Sequence, residues 1–212
     1  RGGRGNKHFA TPSDRAPRRA EPGGAGEAFD LVLELKVMAD VGLLGFPNVG
    51  KSTFISAVSR ARPKVAAYPF TTLVPHLGVV TLGEDRPSFV VADLPGLVEG
   101  ASQGIGLGLR FLRHVDRTRL LLHLVTIGPD PARSPLADYE AVRKELTQYD
   151  PALAERPEIV VLSQADRPEV RDVYPELKAA FAERFGVELQ LVSAASRFQL
   201  DDLLQLIAQR LP

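Results

Sequence analysis

The chain contains the segment Gly45-Phe46-Pro47-Asn48-Val49-Gly50-Lys51-Ser52-Thr53, which fits the pattern G-x-x-x-x-G-K-[ST] of a phosphate-binding loop. The apolar residues 41–44 before it predict a buried strand, and residues 52–58 after it predict a helix. Glycines allow the backbone to curl so that successive N–H groups face phosphate oxygens, and the helix adds the positive end of its dipole. A chance glycine turn is the alternative, but it does not account for the Lys-Ser pair. The segment therefore predicts a binding site for a nucleoside triphosphate.

Side chains around this loop have distinct expected roles. Lys51 is expected to reach the β- and γ-phosphates, and the Ser52 hydroxyl is expected to ligate Mg²⁺. Asp93 ends a predicted strand, so its carboxylate is expected to hold Mg²⁺ through water, while the Gly96 N–H bonds the γ-phosphate. Thr72, in a long irregular stretch, is expected to complete the Mg²⁺ shell. Contacts that require the γ-phosphate predict a switch, although Asp-x-x-Gly alone is equally typical of a plain turn.

Composition narrows the classes of function. The 212 residues suit one domain with an appendage, and 44% hydrophobic residues suffice for a core. The 26 Lys and Arg residues balance 26 Asp and Glu residues, so net charge favours neither nucleic acid nor a membrane surface. Because there is no cysteine, disulfides and thiol catalysis are excluded. No apolar run is as long as a membrane span, and no signal peptide is visible. The chain begins with Arg1 rather than Met, so we expect it to be part of a longer protein.

Strand and helix patterns alternate downstream of the loop. Residues 60–74 predict a long exposed loop, and residues 78–82 and 89–92 predict a hairpin. Further strands are predicted at 119–125, 158–162 and 188–192, and helices at 135–149, 175–185 and 201–211. This order predicts an α/β fold with a mostly parallel six-stranded sheet and helices on both faces. Together with the phosphate loop and Asp-x-x-Gly, it predicts a P-loop NTPase of the Ras-like G-domain type. Ligands of such sheets bind beyond the carboxyl ends of the strands, where the motifs above fall.

The N-terminal residues differ in composition from the rest. Residues 1–28 combine glycine and basic side chains with three prolines and almost nothing apolar, and they form a glycine-rich arm. One interpretation is a flexible basic linker, and the other is an arm that contacts RNA phosphate. Residues 29–36 alternate between apolar and polar side chains, which predicts a half-exposed strand from an all-β remnant of a preceding domain. We expect the domain boundary near Val37.

Four segments of the chain resemble one bacterial family. They are residues 45–52, residues 68–73 (Tyr-Pro-Phe-Thr-Thr-Leu), residues 93–101 (Asp-Leu-Pro-Gly-Leu-Val-Glu-Gly-Ala) and the arm at residues 3–12. These segments are similar to the Obg GTPases, also called CgtA. The resemblance covers the whole chain and implies that residues 1–36 end a glycine-rich Obg-type N-terminal domain and that residues 37–212 form the GTPase domain. It implies a cytoplasmic monomer that uses Mg²⁺, binds GTP or GDP, and acts with the large ribosomal subunit particle and its rRNA in subunit assembly and in growth and stress control.

The resemblance also implies a set of site residues. Lys51, Thr72 and Gly96 are the implied catalytic residues, and Ser52, Thr72 and Asp93 (through water) are the implied metal ligands. The whole implied nucleotide-binding set is Gly45, Phe46, Pro47, Asn48, Val49, Gly50, Lys51, Ser52, Thr53, Phe70, Thr71, Thr72, Asp93, Leu94, Pro95, Gly96, Ser163, Gln164, Asp166, Ser193, Ala194 and Ala195. Within it, residues 193–195 back the guanine.

Two positions depart from the family pattern. Ser163-Gln164-Ala165-Asp166 stands where the family has Asn-Lys-x-Asp, and Thr126 stands where an Asp is expected. Asp166 retains the carboxylate that accepts the guanine N1–H and N2–H groups. The shorter Ser163 is expected to lose a tie to the phosphate loop, at about 1 kcal/mol, and Gln164 loses the cation that Lys would hold near the base. These changes predict a GTP-selective protein with loose affinity.

Two classes of function fit these patterns. One is a slow GTP hydrolase whose cycle times binding to a ribosomal particle, and the other is a non-hydrolysing guanine-nucleotide sensor; an ATPase is a weaker third. Leu97 stands where Ras-like enzymes carry a water-orienting Gln, which predicts slow intrinsic hydrolysis. Asn48 resembles the residue that holds K⁺ in potassium-stimulated GTPases, so K⁺ is a second candidate cofactor. The four histidines adjoin no nucleophile and show no metal-ligand spacing, so no catalytic histidine is expected.

Overall fold

The structure, a computed structural model, describes residues 1–30, 39–59, 64–65, 76–83, 88–94, 118–128 and 133–211. For residues 64, 65 and 149 it describes the backbone alone. The chain divides into two compact units, Arg1–Leu35 and Lys36–Pro212. Each unit is described by itself below. Within the described ranges, no helix is both long enough and apolar enough to span a membrane.

The larger unit is built on a sheet with seven strands among the described residues. The strands are β1 (Val41–Leu44), β2 (Lys64–Val65), β3 (His76–Val80), β4 (Phe89–Asp93), β5 (Leu120–Val125), β6 (Glu158–Leu162) and β7 (Leu189–Leu191). Their spatial order is β2-β3-β4-β1-β5-β6-β7. Strand β3 is antiparallel to both of its neighbours, and all other pairs are parallel. The mostly parallel sheet is therefore confirmed, and all six strands predicted for this sheet are present.

The seventh strand, β2, was not predicted. It lies inside residues 60–74, which were expected to be a loop without regular structure, and its two residues pair with His76 and Leu77 of β3. Two residues are too short to show a period in the sequence, so the pattern could not reveal this strand. Strand β3 also begins two residues earlier than expected, at His76.

Five α-helices occur in the described part of the larger unit. They are α1 (Lys51–Val58), α2 (Pro135–Tyr149), α3 (Pro151–Ala154), α4 (Pro168–Phe185) and α5 (Leu200–Arg210). The Ser134 side chain accepts a hydrogen bond from the Ala137 N–H and so caps α2. The short helix α3 was not predicted. Asp150 caps it, with Oδ1 2.9 Å from the Ala152 nitrogen.

Helix α4 begins seven residues earlier than predicted. The expectation placed Pro175 in the first turn, because proline usually breaks a helix interior. The structure instead has Pro168 at the helix start, where its missing N–H has no partner to lose, and Pro175 is accommodated inside the helix on an exposed face. The helix ends at Phe185, the predicted last residue, and Gly186 follows it with φ 64°.

Helices cover both faces of the sheet because the strand side chains alternate. Leu120, Leu122 and Leu124 of β5 belong to the cluster that includes residues of α1 and α5. Leu121, on the opposite face, packs with α2 residues such as Leu146. The carboxyl ends of β1, β4, β5 and β6 lie along one edge, since these strands are parallel. This edge carries the site described below.

The smaller unit is held by contacts between its two ends. The Gly24 N–H donates to the Arg1 carbonyl at 3.1 Å, and the Glu21 N–H donates to the Arg4 carbonyl at 2.9 Å. A Cβ on Gly3 would lie 1.9 Å from the Glu21 oxygen, so this close approach requires glycine. A flexible linker does not account for these contacts. The strand predicted at 29–36 lies mainly outside the described residues, and residues 29–30 have no regular structure.

Candidate functional site

The phosphate loop joins β1 to α1 and depends on two glycines. Gly45 has φ 136°, and a Cβ there would lie 2.3 Å from the Leu124 carbonyl oxygen. Gly50 precedes α1 with φ 99°, a conformation that side chains disfavour. Asn48 also has a positive φ of 65°, which asparagine tolerates better than most residues. The loop therefore has the tight curl expected of a phosphate-binding loop.

Lys51 folds back over this loop. Its Nζ donates to the carbonyl oxygens of Gly45, at 2.8 Å, and Phe46, at 3.0 Å. As the first residue of α1, Lys51 also lies at the positive end of the helix dipole. Its ammonium group is thus placed over the curled backbone, where it can bind phosphate oxygens.

A polar cavity of about 420 Å³ opens beside the loop. Its lining includes Lys51, Ser52 and Asp93, three residues that the sequence predicted for phosphate and Mg²⁺ binding. Hydroxyl and carboxylate oxygens are the hard donors that Mg²⁺ prefers, so Ser52 and Asp93 fit the ion. The remaining lining residues are Asn48, Gly50, Thr53, His76 and Gln164. Among the described residues, no group of three or more His, Cys, Asp or Glu side chains forms a separate metal site.

A second cavity, of about 130 Å³, lies beside the loop, near the ends of β6 and β7. It is lined by Gly50, Thr53, Phe54, Leu124, Ser163, Gln164, Asp166, Val192, Ala194 and Ala195. The structure thus brings together residues from the ends of β6 and β7 that the resemblance implied for guanine. Gln164 lines both cavities and stands between them.

The carboxylate of Asp166 is exposed at the rim of this cavity and is oriented by Ser193. The Ser193 Oγ donates to Asp166 Oδ1 at 2.6 Å, and the Ser193 Oγ in turn accepts from the Ser196 N–H at 3.1 Å. The hydrogen bond from Ser193 holds the pKa of Asp166 below its ordinary value, and the charges of Arg167 and Arg171 add to this effect. Asp166 is therefore ionised near neutral pH and suited to pair with two N–H donors.

Ser163 corrects one expectation from the sequence. Its Oγ lies 2.6 Å from the Val49 carbonyl oxygen in the phosphate loop and 3.1 Å from the Val125 carbonyl oxygen. The tie that a shorter side chain was expected to lose is therefore present, because the loop backbone passes within reach of a serine hydroxyl. Thr126, the other departure, is buried, and its Oγ1 lies 3.4 Å from the Ser163 carbonyl oxygen.

Several predicted residues lie elsewhere. Leu94 is buried in the core, with its N–H bonded to the Leu43 carbonyl, and it lines neither cavity. Val49 is also buried, and Pro47 is exposed. The predicted residues Phe70, Thr71, Thr72, Pro95 and Gly96, together with Leu97 and His114, lie outside the described residues.

Two residues near the site were not identified from the sequence. His76 precedes the strand predicted at 78–82, but it begins β3 and lines the larger cavity. Arg133 lies with its Cζ 4.2 Å from the centre of the Phe46 ring, and its guanidinium makes two contacts with Asp138, at 3.1 and 2.6 Å. His76 pairs with Val65 of β2, a strand that the sequence did not predict, so its position could not be inferred. The sequence carries no signal for the Arg133 contact.

Comparisons with known proteins agree with this site. The family model described as 50S ribosome-binding GTPase matches residues 40–164, and the model described as GTP1/OBG matches residues 1–37. A "GTPase Obg" of Sorangium cellulosum is 63% identical, covering 98% of this chain and 61% of the relative. A "GTPase Obg" of an Anaeromyxobacter strain is 55% identical, covering 100% and 60%.

Solved structures support the fold alone, because their identities are low. The G domain of the T. maritima FeoB iron transporter has a TM-score of 0.59 at 21% identity, covering 82% of this chain and 99% of that one. Era from Aquifex aeolicus, bound to GDP·AlF4⁻, has a TM-score of 0.56 at 23% identity, covering 81% and 56%.

The sheet order and the paired cavities define a G domain, a phosphate-loop module of the α/β class. The chain belongs to the family of 50S ribosome-binding GTPases, and within it to the Obg GTPases. It spans about three fifths of the length of the two curated relatives described above.

Proposed function

We propose that this chain is the guanine-nucleotide switch of an Obg GTPase, which binds GTP and hydrolyses it slowly to GDP and phosphate. One observation carries the proposal: two cavities meet at Gln164, one lined by Lys51, Ser52 and Asp93, the other by the ionised carboxylate of Asp166. The first set suits a triphosphate, and the second suits guanine. Adenine offers no matching pair of donors to a carboxylate, so a site built on Asp166 rejects it.

The chain's own residues act by binding and positioning. Lys51 neutralises phosphate charge, and its two carbonyl contacts keep the ammonium group over the loop before nucleotide arrives. Ser52 and Asp93 would hold Mg²⁺, which supplies positive charge to the phosphate oxygens when it is bound. Thr72 and Gly96 remain proposed contacts to the metal and the γ-phosphate. Leu97 cannot orient water by hydrogen bonding. We therefore expect hydrolysis to be slow and to depend on a further factor.

The phosphate site is tested by Lys51→Ala and Ser52→Ala. Each variant removes a charge-assisted or metal contact worth about 1.5–3 kcal/mol, so Mg²⁺-dependent binding of a fluorescent GTP analogue should weaken at least tenfold. Ser56→Ala, on an exposed position of α1, is the matched control and should bind as wild type does. Unchanged affinity in the Lys51 and Ser52 variants would remove the central support of the proposal.

We further propose that the large ribosomal subunit particle is the partner and that the protein acts in the cytoplasm in subunit assembly. The description of the matching family model and the basic arm at residues 1–28 support this partner. Co-sedimentation of the chain with 50S particles should be stronger with a non-hydrolysable GTP analogue than with GDP. Equal binding in both states would contradict a switch.

Single-turnover phosphate release distinguishes a GTP hydrolase from a non-hydrolysing sensor. A hydrolase should release phosphate from bound GTP, and faster when ribosomal particles are present. A sensor should keep GTP intact under both conditions.

A further inference from the structure

Gln164 is held at both ends of its side-chain amide. The Nε2 donates to the Asn48 carbonyl oxygen of the phosphate loop at 2.9 Å. The Oε1 accepts from Arg167 Nη1, also at 2.9 Å. Because a guanidinium only donates, the amide oxygen must face Arg167, which leaves the NH₂ group to face Asn48. Arg167 thus fixes which way the Gln164 amide points.

Arg167 is itself held on two further sides. Its Nη1 also lies 2.9 Å from the Ile127 carbonyl oxygen, just beyond β5, and its Nε lies 2.9 Å from Glu169 Oε1. About a third of its side chain is exposed, 34%. A planar guanidinium with contacts on three sides has little freedom to turn. The start of α4, the end of β5 and the phosphate loop are therefore connected through one arginine and one glutamine.

The backbone at Gln164 also requires support. Its φ of 63° lies in the left-handed region, which is uncommon for a residue with a side chain. Such a conformation persists when surrounding contacts determine it. The two amide contacts supply this support at the point where the base cavity and the phosphate cavity meet.

We propose that Arg167 is a positioning residue for nucleotide binding, acting through Gln164 to fix residues 163–167 after β6, called the base loop, to the phosphate loop. This inference rests on the proposed function, since it assumes that guanine and phosphates occupy the two cavities. Gln164 carries no charge and stands where the family has Lys. Arg167 compensates for this difference by holding the Gln164 side chain in place. The side-chain hydrogen bonds described for Arg167 go to Glu169, Ile127 and Gln164, and the hydrogen bond from Ser193 is the main cause that keeps Asp166 ionised, so loss of Arg167 should speed release of the nucleotide without changing the choice of base.

The test measures release of fluorescently labelled GDP and of a labelled non-hydrolysable GTP analogue. Arg167→Met should release both about five- to tenfold faster, and Gln164→Leu should do the same, because each breaks the same connection. The double variant should release nucleotide no faster than either single variant. Arg167→Lys, which keeps the charge and a donor group but not the planar fork, should recover part of the loss. The preference for GDP over ADP should be unchanged throughout.

Glu169→Gln is the matched control, because it weakens another contact of the same guanidinium while leaving Gln164 in place. Its release rate should stay within about twofold of wild type, as expected for an exposed ion pair. If Arg167→Met also lowers the unfolding temperature, the release rate of Gln164→Leu is compared with that of the double variant Gln164→Leu with Arg167→Lys. Because Arg167 acts through Gln164, the two release rates should be equal.

Two outcomes would overturn the inference. One is unchanged release in Arg167→Met while the wild-type chain binds labelled GDP normally, and the other is additive effects in the double variant. A wild-type chain that binds no labelled GDP would instead overturn the proposed function and this inference with it.

Discussion

At the scale of single residues, the effect of a substitution in the base loop depends on the distance between the side chain and the group that it contacts. Ser163 is short, but its Oγ lies 2.6 Å from the Val49 carbonyl because the two backbones run close together. Asp166 is exposed, but the hydrogen bond from Ser193 fixes the direction of its carboxylate. Neither distance is visible in the sequence. The identity of Asp166 could be predicted from its motif, and the contacts that orient it could not.

Ser163→Ala should weaken binding of GDP. The substitution leaves the Val49 carbonyl without its side-chain donor next to the phosphate loop, which costs about 1–3 kcal/mol when the group is buried. Calorimetric titration with GDP measures the loss. Ser163→Asn is the informative comparison, because a tie already exists and asparagine should bring no gain in affinity. A clear gain would show that the serine contact does not hold the loop.

Ser193→Ala should shift the pH at which guanine nucleotides are lost. Removing the hydrogen bond that lowers the pKa of Asp166 lets that pKa rise toward its ordinary value. The carboxylate of the variant is then protonated at a higher pH on acidification, so binding of GDP should fail at a higher pH than in wild type. Binding measured from pH 6 down to about pH 3, a range that includes the ordinary carboxyl pKa of 3.8, tests this order. Coincident profiles for the two proteins would contradict it.

At the scale of secondary-structure elements, the long periodic segments were predictable and the short ones were not. The six strands and the two helices beginning near residues 135 and 201 follow from apolar periodicity. The early start of α4 could not be predicted from the sequence, because Pro168 and Pro175 both fit the first turn of a helix. Only packing determines which of them begins it. Val170, which lies in this first turn, is fully buried, so tertiary packing favours the longer helix.

A buried polar cluster joins α2 to the sheet. Glu158, at the start of β6, contacts His123 of β5 at 3.0 Å and accepts from the Tyr139 hydroxyl at 3.0 Å, and Arg143 lies 3.5 Å away. Burial alone would raise the pKa of Glu158, but the hydrogen bond and charge of His123, with Arg143, lower it overall. The same burial and the nearby Glu158 raise the pKa of Tyr139 well above its ordinary value.

This cluster makes stability depend on pH in a predictable direction. Because the pKa of Glu158 is lower in the folded chain than its ordinary 4.5, the unfolded chain binds the proton more readily. The contribution of Glu158 to stability is therefore present near neutral pH and lost as the pH falls below about 4.5. Glu158→Gln should lower the free energy of unfolding in urea at pH 7, and the difference from wild type should narrow at pH 4. A constant difference would contradict this account.

At the scale of the whole molecule, the G domain could be predicted because its motifs lie at the carboxyl ends of strands, in the order that the fold requires. The sheet places Lys51, Ser52 and Asp93 around one cavity although β1 and β4 are far apart in sequence. The contacts that respond to the γ-phosphate involve residues 72 and 96, which remain predictions from the sequence. The Obg relationship of the chain rests on motifs that span both units.

Potassium should stimulate turnover if Asn48 holds a K⁺ ion beside the phosphates. Asn48 is exposed and lines the phosphate cavity, where added positive charge would favour the transition state. GTP turnover should be faster in K⁺ than in Na⁺ buffer, and Asn48→Ala should remove the difference. Equal turnover of the wild-type chain in both salts would exclude this role.

The central claim is that Asp166 and the phosphate loop together form a guanine-specific triphosphate site, and calorimetric titration with GTP, ATP and XTP tests it most directly. The wild-type chain should bind GTP with Mg²⁺ and show no comparable binding of ATP, because only guanine presents two donors to the carboxylate. Asp166→Asn should lose affinity for GTP and gain affinity for XTP, since xanthine presents a carbonyl where guanine has an amino group. ATP bound as tightly as GTP, or an Asp166→Asn variant with unchanged preference, would contradict the account.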